Sequence, residues 1–345
     1  MKRKTWRIII ITILVLFGLA AIFGYREYKK IIAPNVVSDD NTSIYLGEDD
    51  NIDSLIVQIK SGAILQDEAA FEWWAEKKQL GKNLHPGRYV LHQGMSNREL
   101  VNLLMSGRQT PVNVTFNNIR TKKDFAGRIG EQLEADSIDF IQYFDTTTYF
   151  KTLGLTKDNF ATLFIPNTYE LYWNTSAGGF IKRMQKEHDA FWNEARLNKA
   201  KNNNLTPEQV YILASIVYSE NEKASEEAPR IAGVYMNRIK KGMKLEADPT
   251  VKFAIGDFAK KRIYLADLEI DSPYNTYKYF GLPPGPIHMP PIKYIDAVLT
   301  YEVHDYIFMC ARGDGSGKHY FAATLAEHNR NRTLYIKALN NAGIY

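Results

Sequence analysis

The first pattern along the chain is an uncharged apolar run from Ile8 to Gly24, flanked by Trp6 and Tyr25. It is at the short end for a spanning helix, but flanking residues complete it, and aromatic residues favour the membrane interface. The period then changes. Ile52, Leu55, Ile56 and Ile59 have helical spacing, and a second helix is predicted over about 67–80, carrying Phe71, Trp73 and Trp74. His85-Pro86-Gly87-Arg88-Tyr89-Val90-Leu91 reads as a turn entering a strand. Ser96 and Glu99 form a capping box for a short helix with Leu100, Leu103 and Leu104, stopped at Gly107. Val112, Val114 and Phe116 alternate and predict a strand; residues 121–195 read as mostly helical. Lys199 to Leu205 is a Lys/Asn-rich loop, and Thr206-Pro207-Glu208-Gln209 then opens a helix whose apolar run is Val210 to Val217. Near the C-terminus, Tyr306 to Ala311 and His319 to Ala322 predict two strands joined by a Gly-rich turn, and Thr324 and Glu327 cap a last helix.

Composition narrows the class. A chain of 345 residues suggests two or three domains, and 45% hydrophobic residues allow a sizeable core. The net charge of +4 is dispersed, which does not point to nucleic acid. Cys310 is the single cysteine, so no intrachain disulfide is available; it reads as a buried strand residue. Lys2, Arg3, Lys4 and Arg7 precede the apolar run, and Arg26, Lys29 and Lys30 follow it, which softens the orientation rule. An uncleaved anchor is expected over a signal peptide cut near Gly18-Leu19-Ala20, because the apolar run continues through Ile22 and Phe23. His288, His304, His319 and His328 lack metal-site spacing, so no metal is expected. Arg312 and His319 stand where a phosphate loop needs Gly and Ser or Thr, which leaves a hairpin turn.

Candidate chemistry centres on Glu220. Leu213, Ile216, Val217 and Glu220 share one helix face, so a carboxyl sits on the stripe that should meet the core. Burial disfavours the charged form and raises a carboxyl pKa, which suits a general acid. The competing reading is a Glu at a frayed helix end reaching water. A two-carboxylate glycosidase would need a partner from Glu222, Glu226, Glu227, Glu246 and Asp248. Glu226 and Glu227 precede the next helix, where negative charge suits the dipole. Asp248 either lines the cleft or shapes a turn before Pro249. Trp73 and Trp74 point about 100° apart on a helix, which leaves both sugar stacking and core packing open.

The segments around Glu220 carry a resemblance. Leu213-Ala214-Ser215-Ile216-Val217-Tyr218-Ser219-Glu220 is followed by Ala224-Ser225-Glu226, Val234-Tyr235-Met236-Asn237-Arg238, Gly242-Met243-Lys244-Leu245 and Asp248-Pro249-Thr250-Val251. Tyr274-Asn275-Thr276-Tyr277 and Gly281-Leu282-Pro283-Pro284-Gly285-Pro286-Ile287 continue the collinear set. This set closely resembles the MltG (YceG-like) endolytic murein transglycosylases. Residues 1–30 read as cytoplasmic tip and anchor helix, and 31–43, polar with Pro34 and two aspartates, as a linker; the resemblance implies an α+β fold. It implies a small LysM-like α/β subdomain over 44–110 and a larger mixed α+β catalytic domain over 111–345. It implies Glu220 as catalytic acid/base, with Asn237, Asp248, Thr250, Asn275, Thr276, Tyr277, Pro283 and Gly285 in substrate binding, and no cofactor. Asn237 is expected to hydrogen-bond an acetamido group or Glu220, and the 283–286 loop to wall the cleft. Two positions depart from the family pattern: Asn167 stands where Asp is common, and Tyr218 where Glu is often found. The implied substrate is the MurNAc–GlcNAc bond of nascent peptidoglycan strands, and the product 1,6-anhydroMurNAc. Implied partners are glycan-polymerising synthases of the same inner membrane, with the catalytic domain on the extracytoplasmic side. A hydrolytic muramidase using Asp248, or a peptidoglycan-binding scaffold without turnover, are the alternatives.

Overall fold

The N-terminal apolar run lies in one unbroken helix, α1 (Lys2–Ile32). In this computed structural model residues 2–146, 148–260 and 262–341 are described; Met1, Thr147, Lys261 and 342–345, included in the expected domain ranges, and the side chains of Lys2, Arg3, Thr5 and Asn341 lie outside the described residues. At the standard rise α1 spans roughly 46 Å, longer than a hydrocarbon core of about 30 Å. Trp6–Ile32 reaches a mean hydropathy of 2.7, and none of that window is buried. The helix fits a single-pass membrane anchor.

The chain forms two units. The first comprises Met1–Asn113, Gln132–Glu134 and Glu170–Thr175; the second comprises Val114–Glu131, Ala135–Tyr169 and Ser176–Tyr345. In the first, β1 (Ser43–Leu46) pairs antiparallel with β2 (Gly87–Val90), placing Ser43 opposite Val90 and Leu46 opposite Gly87. Helices α2 (Ile52–Ser61), α3 (Glu68–Lys77) and α4 (Asn97–Ser106) complete it. Asn51, Asp67 and Ser96 cap the three helices, and Ser96 and Glu99 form the predicted box. Leu55, Ile59, Phe71, Tyr89, Leu100 and Leu104 make the core. Trp73 and Trp74 are both half-buried, Trp74 against this core, with the Lys30 and Lys78 ammonium groups 5.4 and 4.8 Å from their respective ring centres.

The segment read as a linker behaves differently from that expectation. Val36 is only 2% exposed and joins the core. The Asn35 side chain donates to the Asp67 carbonyl at 2.9 Å and accepts from the Asp67 amide at 2.7 Å. Asn97 donates to the Lys30 carbonyl at the end of α1 at 2.9 Å. Buried amides with satisfied partners hold a chain in place, so this stretch is packed although its composition is polar.

β3 (Val112–Phe116) pairs with β4 (Asn167–Leu171), and Val114–Phe116 and Asn167–Tyr169 of these strands belong to the second unit. Helices α5 (Lys122–Gly130), α6 (Ser137–Thr146), α7 (Tyr149–Thr152) and α8 (Ala177–Phe191) carry a cluster of phenylalanines, with Phe125 and Phe164 rings 4.5 Å apart. After α9 (Glu194–Asn202) comes α10 (Pro207–Glu220), in which every residue from Val210 to Val217 is buried. A helix buried all round is a core helix. It packs on α11 (Ala228–Lys240), α12 (Asp248–Ile255) and α13 (Ile292–Leu299). The hairpin β5 (Phe308–Ala311) and β6 (His319–Ala322) forms where the strands were predicted, and α14 (Leu325–Asn341) packs on it.

Leu213 is fully buried at the centre of α10. Truncation there removes apolar contacts and leaves a cavity, so Leu213→Ala should destabilise the larger unit by about 2–5 kcal/mol. Urea unfolding followed by circular dichroism checks this; a loss well under 1 kcal/mol would mean that the surrounding helices collapse into the gap.

Candidate active site

The start and end of α10 both follow from short polar motifs. Thr206 accepts from the Gln209 amide at 3.2 Å, and Gln209 accepts from the Thr206 amide at 2.9 Å, with Pro207 in the first turn. Asn221 ends the helix. Its side chain accepts from the Ala224 amide at 2.8 Å and donates to the Ala224 carbonyl at 2.6 Å, while its carbonyl accepts from the Tyr294 hydroxyl at 2.6 Å. Glu220 is thus the last helical residue, at the edge of a cavity.

The Tyr235 hydroxyl, projecting from α11, donates to Glu220 Oε1 at 2.7 Å. Tyr235 is buried, and its own pKa lies well above the ordinary tyrosine value through burial and the nearby Glu220 charge, so it stays a donor. Glu220 keeps some surface towards the cavity, but its carboxyl is largely enclosed. Burial pushes its pKa up from 4.5 to about 7. The Tyr235 bond opposes that rise, the Asp248 charge adds to it, and the Arg238 charge subtracts from it.

A cavity of about 800 Å³ is lined by Ser219, Glu220, Asp248, Phe253, Ile287 and Tyr335 among others. A second of about 410 Å³ has Glu220, Tyr235, Asp248, Tyr277 and Tyr335 in its walls. Glu220, Asp248 and Tyr335 belong to both. Asp248, at the start of α12, accepts from the Tyr277 hydroxyl at 2.6 Å. Three of the expected site residues, Glu220, Asp248 and Tyr277, therefore meet.

The others hold backbone. Asn237 donates to the His304 and Tyr306 carbonyls at 2.7 and 2.9 Å; the structure does not bring its amide to Glu220. Asn275 is fully buried and donates to the Leu268 and Ile270 carbonyls, both at 2.8 Å. The hydroxyls of Thr250 and Thr276 lie 2.8 Å apart in the interior; Thr276 also accepts from the Ala247 amide at 3.0 Å, and Thr250 donates to the Ala247 carbonyl at 2.7 Å. Pro283 and Gly285 are buried, and a Cβ at 285 would overlap the Asp158 carbonyl, so this loop lies against backbone where it was expected to wall the cleft. Ile287, just beyond it, does line the larger cavity and donates its amide to Ser215 of α10 at 3.1 Å.

Of the other carboxylates, Glu222 pairs with Arg120 at 3.2 Å, Glu226 with Lys318 at 3.2 Å, and Glu246 with Arg238 at 2.9 Å. Glu227 is buried and accepts from the His319 amide at 2.9 Å. Tyr218 stacks on His288, with ring centres 4.5 Å apart. Burial and the Arg120 charge lower the His288 pKa to about 3, which keeps that imidazole neutral. Cys310 is half-buried at the edge of the smaller cavity, more open than its apolar strand suggested.

A family model described as the YceG-like family matches residues 44–333. The chain belongs to the YceG-like family. It is 30% identical over 337 residues to a Bacillus subtilis (strain 168) protein named endolytic murein transglycosylase, covering 92% of this chain and 91% of that protein. A Streptococcus pneumoniae (serotype 2, strain D39) protein of the same name is 26% identical over 369 residues, covering 96% of this chain and 66% of that one. A crystal structure of a yceG-like protein, lmo1499 from Listeria monocytogenes, superposes with a TM-score of 0.54 at 26% identity, over 85% of this chain and 99% of that one.

For this YceG-like chain, sequence reasoning missed Tyr235 and Asn221. A signal for Tyr235 was available. Ile231, Tyr235 and Arg238 share one face of α11, and a core-facing tyrosine hydroxyl needs a partner. Asn221 carried no periodic signal, since its role is to end the period.

The charges around Glu220 predict opposite shifts. The protonated form prevails below pH about 7, so activity that requires an acid should fall as pH rises through that value. Tyr235→Phe removes an influence that lowers the pKa and should move this alkaline limb upward; Asp248→Asn removes one that raises it and should move the limb downward. Profiles of kcat/KM against pH for the three proteins test the signs. Shifts in the same direction in both variants would contradict the account.

Proposed function

We propose that this chain carries out the lytic transglycosylase reaction on peptidoglycan with Glu220 as its one proton shuttle. The chain is an enzyme of the cell wall, and its substrate class is the peptidoglycan glycan strand. In the proposed sequence, Glu220 gives its proton to the glycosidic oxygen between MurNAc and GlcNAc. The C1–O bond breaks, the GlcNAc hydroxyl departs, and positive charge develops at MurNAc C1. Glu220, now a carboxylate, takes the proton of the MurNAc C6 hydroxyl as O6 closes on C1. The product is a 1,6-anhydroMurNAc end, and Glu220 is returned to its acid form. The attack is intramolecular, so no bound water has to be held in place. The observation that supports this reading is a carboxyl with a pKa of about 7, steadied by the Tyr235 hydroxyl, at the wall of a cavity large enough for a ligand.

Asp248 motivates the second reading. It shares both cavities with Glu220 and would be the base that activates a water in a muramidase. Two finer parts complete the proposal, the orientation resting on the N-terminal sequence and the partners on the family resemblance. The bulk of the chain lies on the extracytoplasmic side of α1, where the polymer is, and glycan-polymerising enzymes of the same membrane supply the nascent strands.

The full-length chain in detergent and its Glu220→Gln variant should be given purified glycan strands, and the new ends weighed by mass spectrometry. Anhydro ends, lighter by one water than hydrolytic ends, are expected from the native chain. The variant should lose about 10²–10⁴-fold in rate. Hydrolytic ends would transfer the assignment to the muramidase with Asp248. Unimpaired cutting by the variant would remove Glu220 from the chemistry.

A further inference from the structure

The larger cavity has a charge imbalance that the reaction at Glu220 does not use. Two of its cations are matched: Arg120 pairs with Glu222 at 3.2 Å and Lys260 with Asp267 at 2.6 Å. Three others have no carboxylate partner among the described residues. They are Lys252 on α12, Arg262 in the loop beyond it, and Arg332 on α14. Lys252 and Arg262 lie near each other in sequence, but Arg332 comes from the distant C-terminal helix, so its meeting with them is a product of the fold. The carboxyls on the same wall are Asp248, which accepts from Tyr277, and Glu220, whose burial favours the protonated form. Like charges gathered on one concave surface repel each other unless an anion lies between them. Phe253, Phe258 and Ile263 supply apolar wall beside the cations.

The glycan backbone of peptidoglycan is neutral while each lactyl carboxyl is held in an amide bond to a stem peptide. Its anions lie on the stem peptide, which hangs from the lactyl group of the MurNAc ring whose C1 is attacked. Each scissile bond therefore brings stem carboxylates and alanine methyl groups beside Glu220. The lipid pyrophosphate is the other anion of a nascent strand, but it sits only at the strand terminus, away from an internal cut. We propose that Lys252, Arg262 and Arg332 bind the carboxylates of the stem peptide on the scissile MurNAc, so that the enzyme selects stem-bearing strands over denuded ones. This rests on the peptidoglycan reading above.

The test uses full-length chain in detergent and three strand preparations: with stems, with stems removed by an amidase, which leaves a single lactyl carboxylate on each MurNAc, and with stems but still carrying the lipid pyrophosphate. The native chain should show kcat/KM about ten-fold higher on stem-bearing than on denuded strands, carried mainly by KM and shrinking as salt is raised. In a Lys252→Gln, Arg332→Gln double variant the ratio should fall to within about two-fold. Equal cutting of both strands by the native chain, a ratio that survives in the variant, or a preference that follows the pyrophosphate and not the stem would each overturn the proposal. Should the double variant fail to fold, binding by the Glu220→Gln protein decides the matter: salt-sensitive preference for stem-bearing strands supports it, and equal binding overturns it. Failure of the underlying reaction has a different appearance, since neither strand would be cut or both would yield hydrolytic ends.

Discussion

A carboxyl group held at the end of a helix that is buried on every side is what the larger unit is organised around. The unbroken burial from Val210 to Val217 fixes both the position and the rotation of α10. Glu220, three residues beyond that run, is thereby held at the cavity wall. Enclosing a carboxylate is costly, and the cost appears as a raised pKa. The fold then trims that rise. The Tyr235 hydroxyl and the Arg238 charge favour ionisation while Asp248 opposes it, and the balance leaves the group near neutrality. A residue required to give and then take a proton works best there. The same balance affects folding. The folded value of about 7 exceeds the ordinary 4.5, so the stabilisation associated with the protonated group is complete below about 4.5 and is lost as pH rises through about 7.

The polar residues near the site divide into those that face the cavities and those that hold the walls. Asn275, Thr250 and Thr276 are buried, and their partners are backbone groups or each other. Such groups must find partners on leaving water, and in doing so they lock the loop that carries Tyr277 onto the start of α12, where Asp248 stands. Asn237 similarly pins the segment that leads into the β5–β6 hairpin. Their influence on chemistry runs through the placement of Asp248, Tyr277 and the cavity wall. Arg238 does both, donating to the carbonyls of Ile307, Lys244 and Leu245 while its charge acts on Glu220.

At the other end of the chain, α1 passes into the first unit without a slack connection. Asn97 holds the last turn of α1, Asn35 clasps Asp67, and Val36 enters the core. An anchor joined in this way transmits its orientation to the small β1–β2 unit, where a flexible tether would lose it.

Much was legible in the sequence, because it is written in local signals. The Thr206–Gln209 and Ser96–Glu99 capping boxes, the apolar periods, the anchor run and the β5–β6 hairpin all depend on residues a few positions apart, and the helix face carrying Glu220 follows from the same spacing. Composition misled within 31–43, where the Asn35 side chain is satisfied by distant backbone and Val36 enters the core, and the resemblance suggested a cleft wall at Pro283 and Gly285, where the loop turns inward against Asp158. The sequence by itself determined which elements form and which carboxyl is carried towards the core, since helix periodicity and capping are short-range. Only the tertiary structure decided that Tyr235 meets Glu220, that Asn237 does not, and that Lys252, Arg262 and Arg332 share one cavity. Those facts depend on how elements tens of residues apart pack, and no local spacing encodes that.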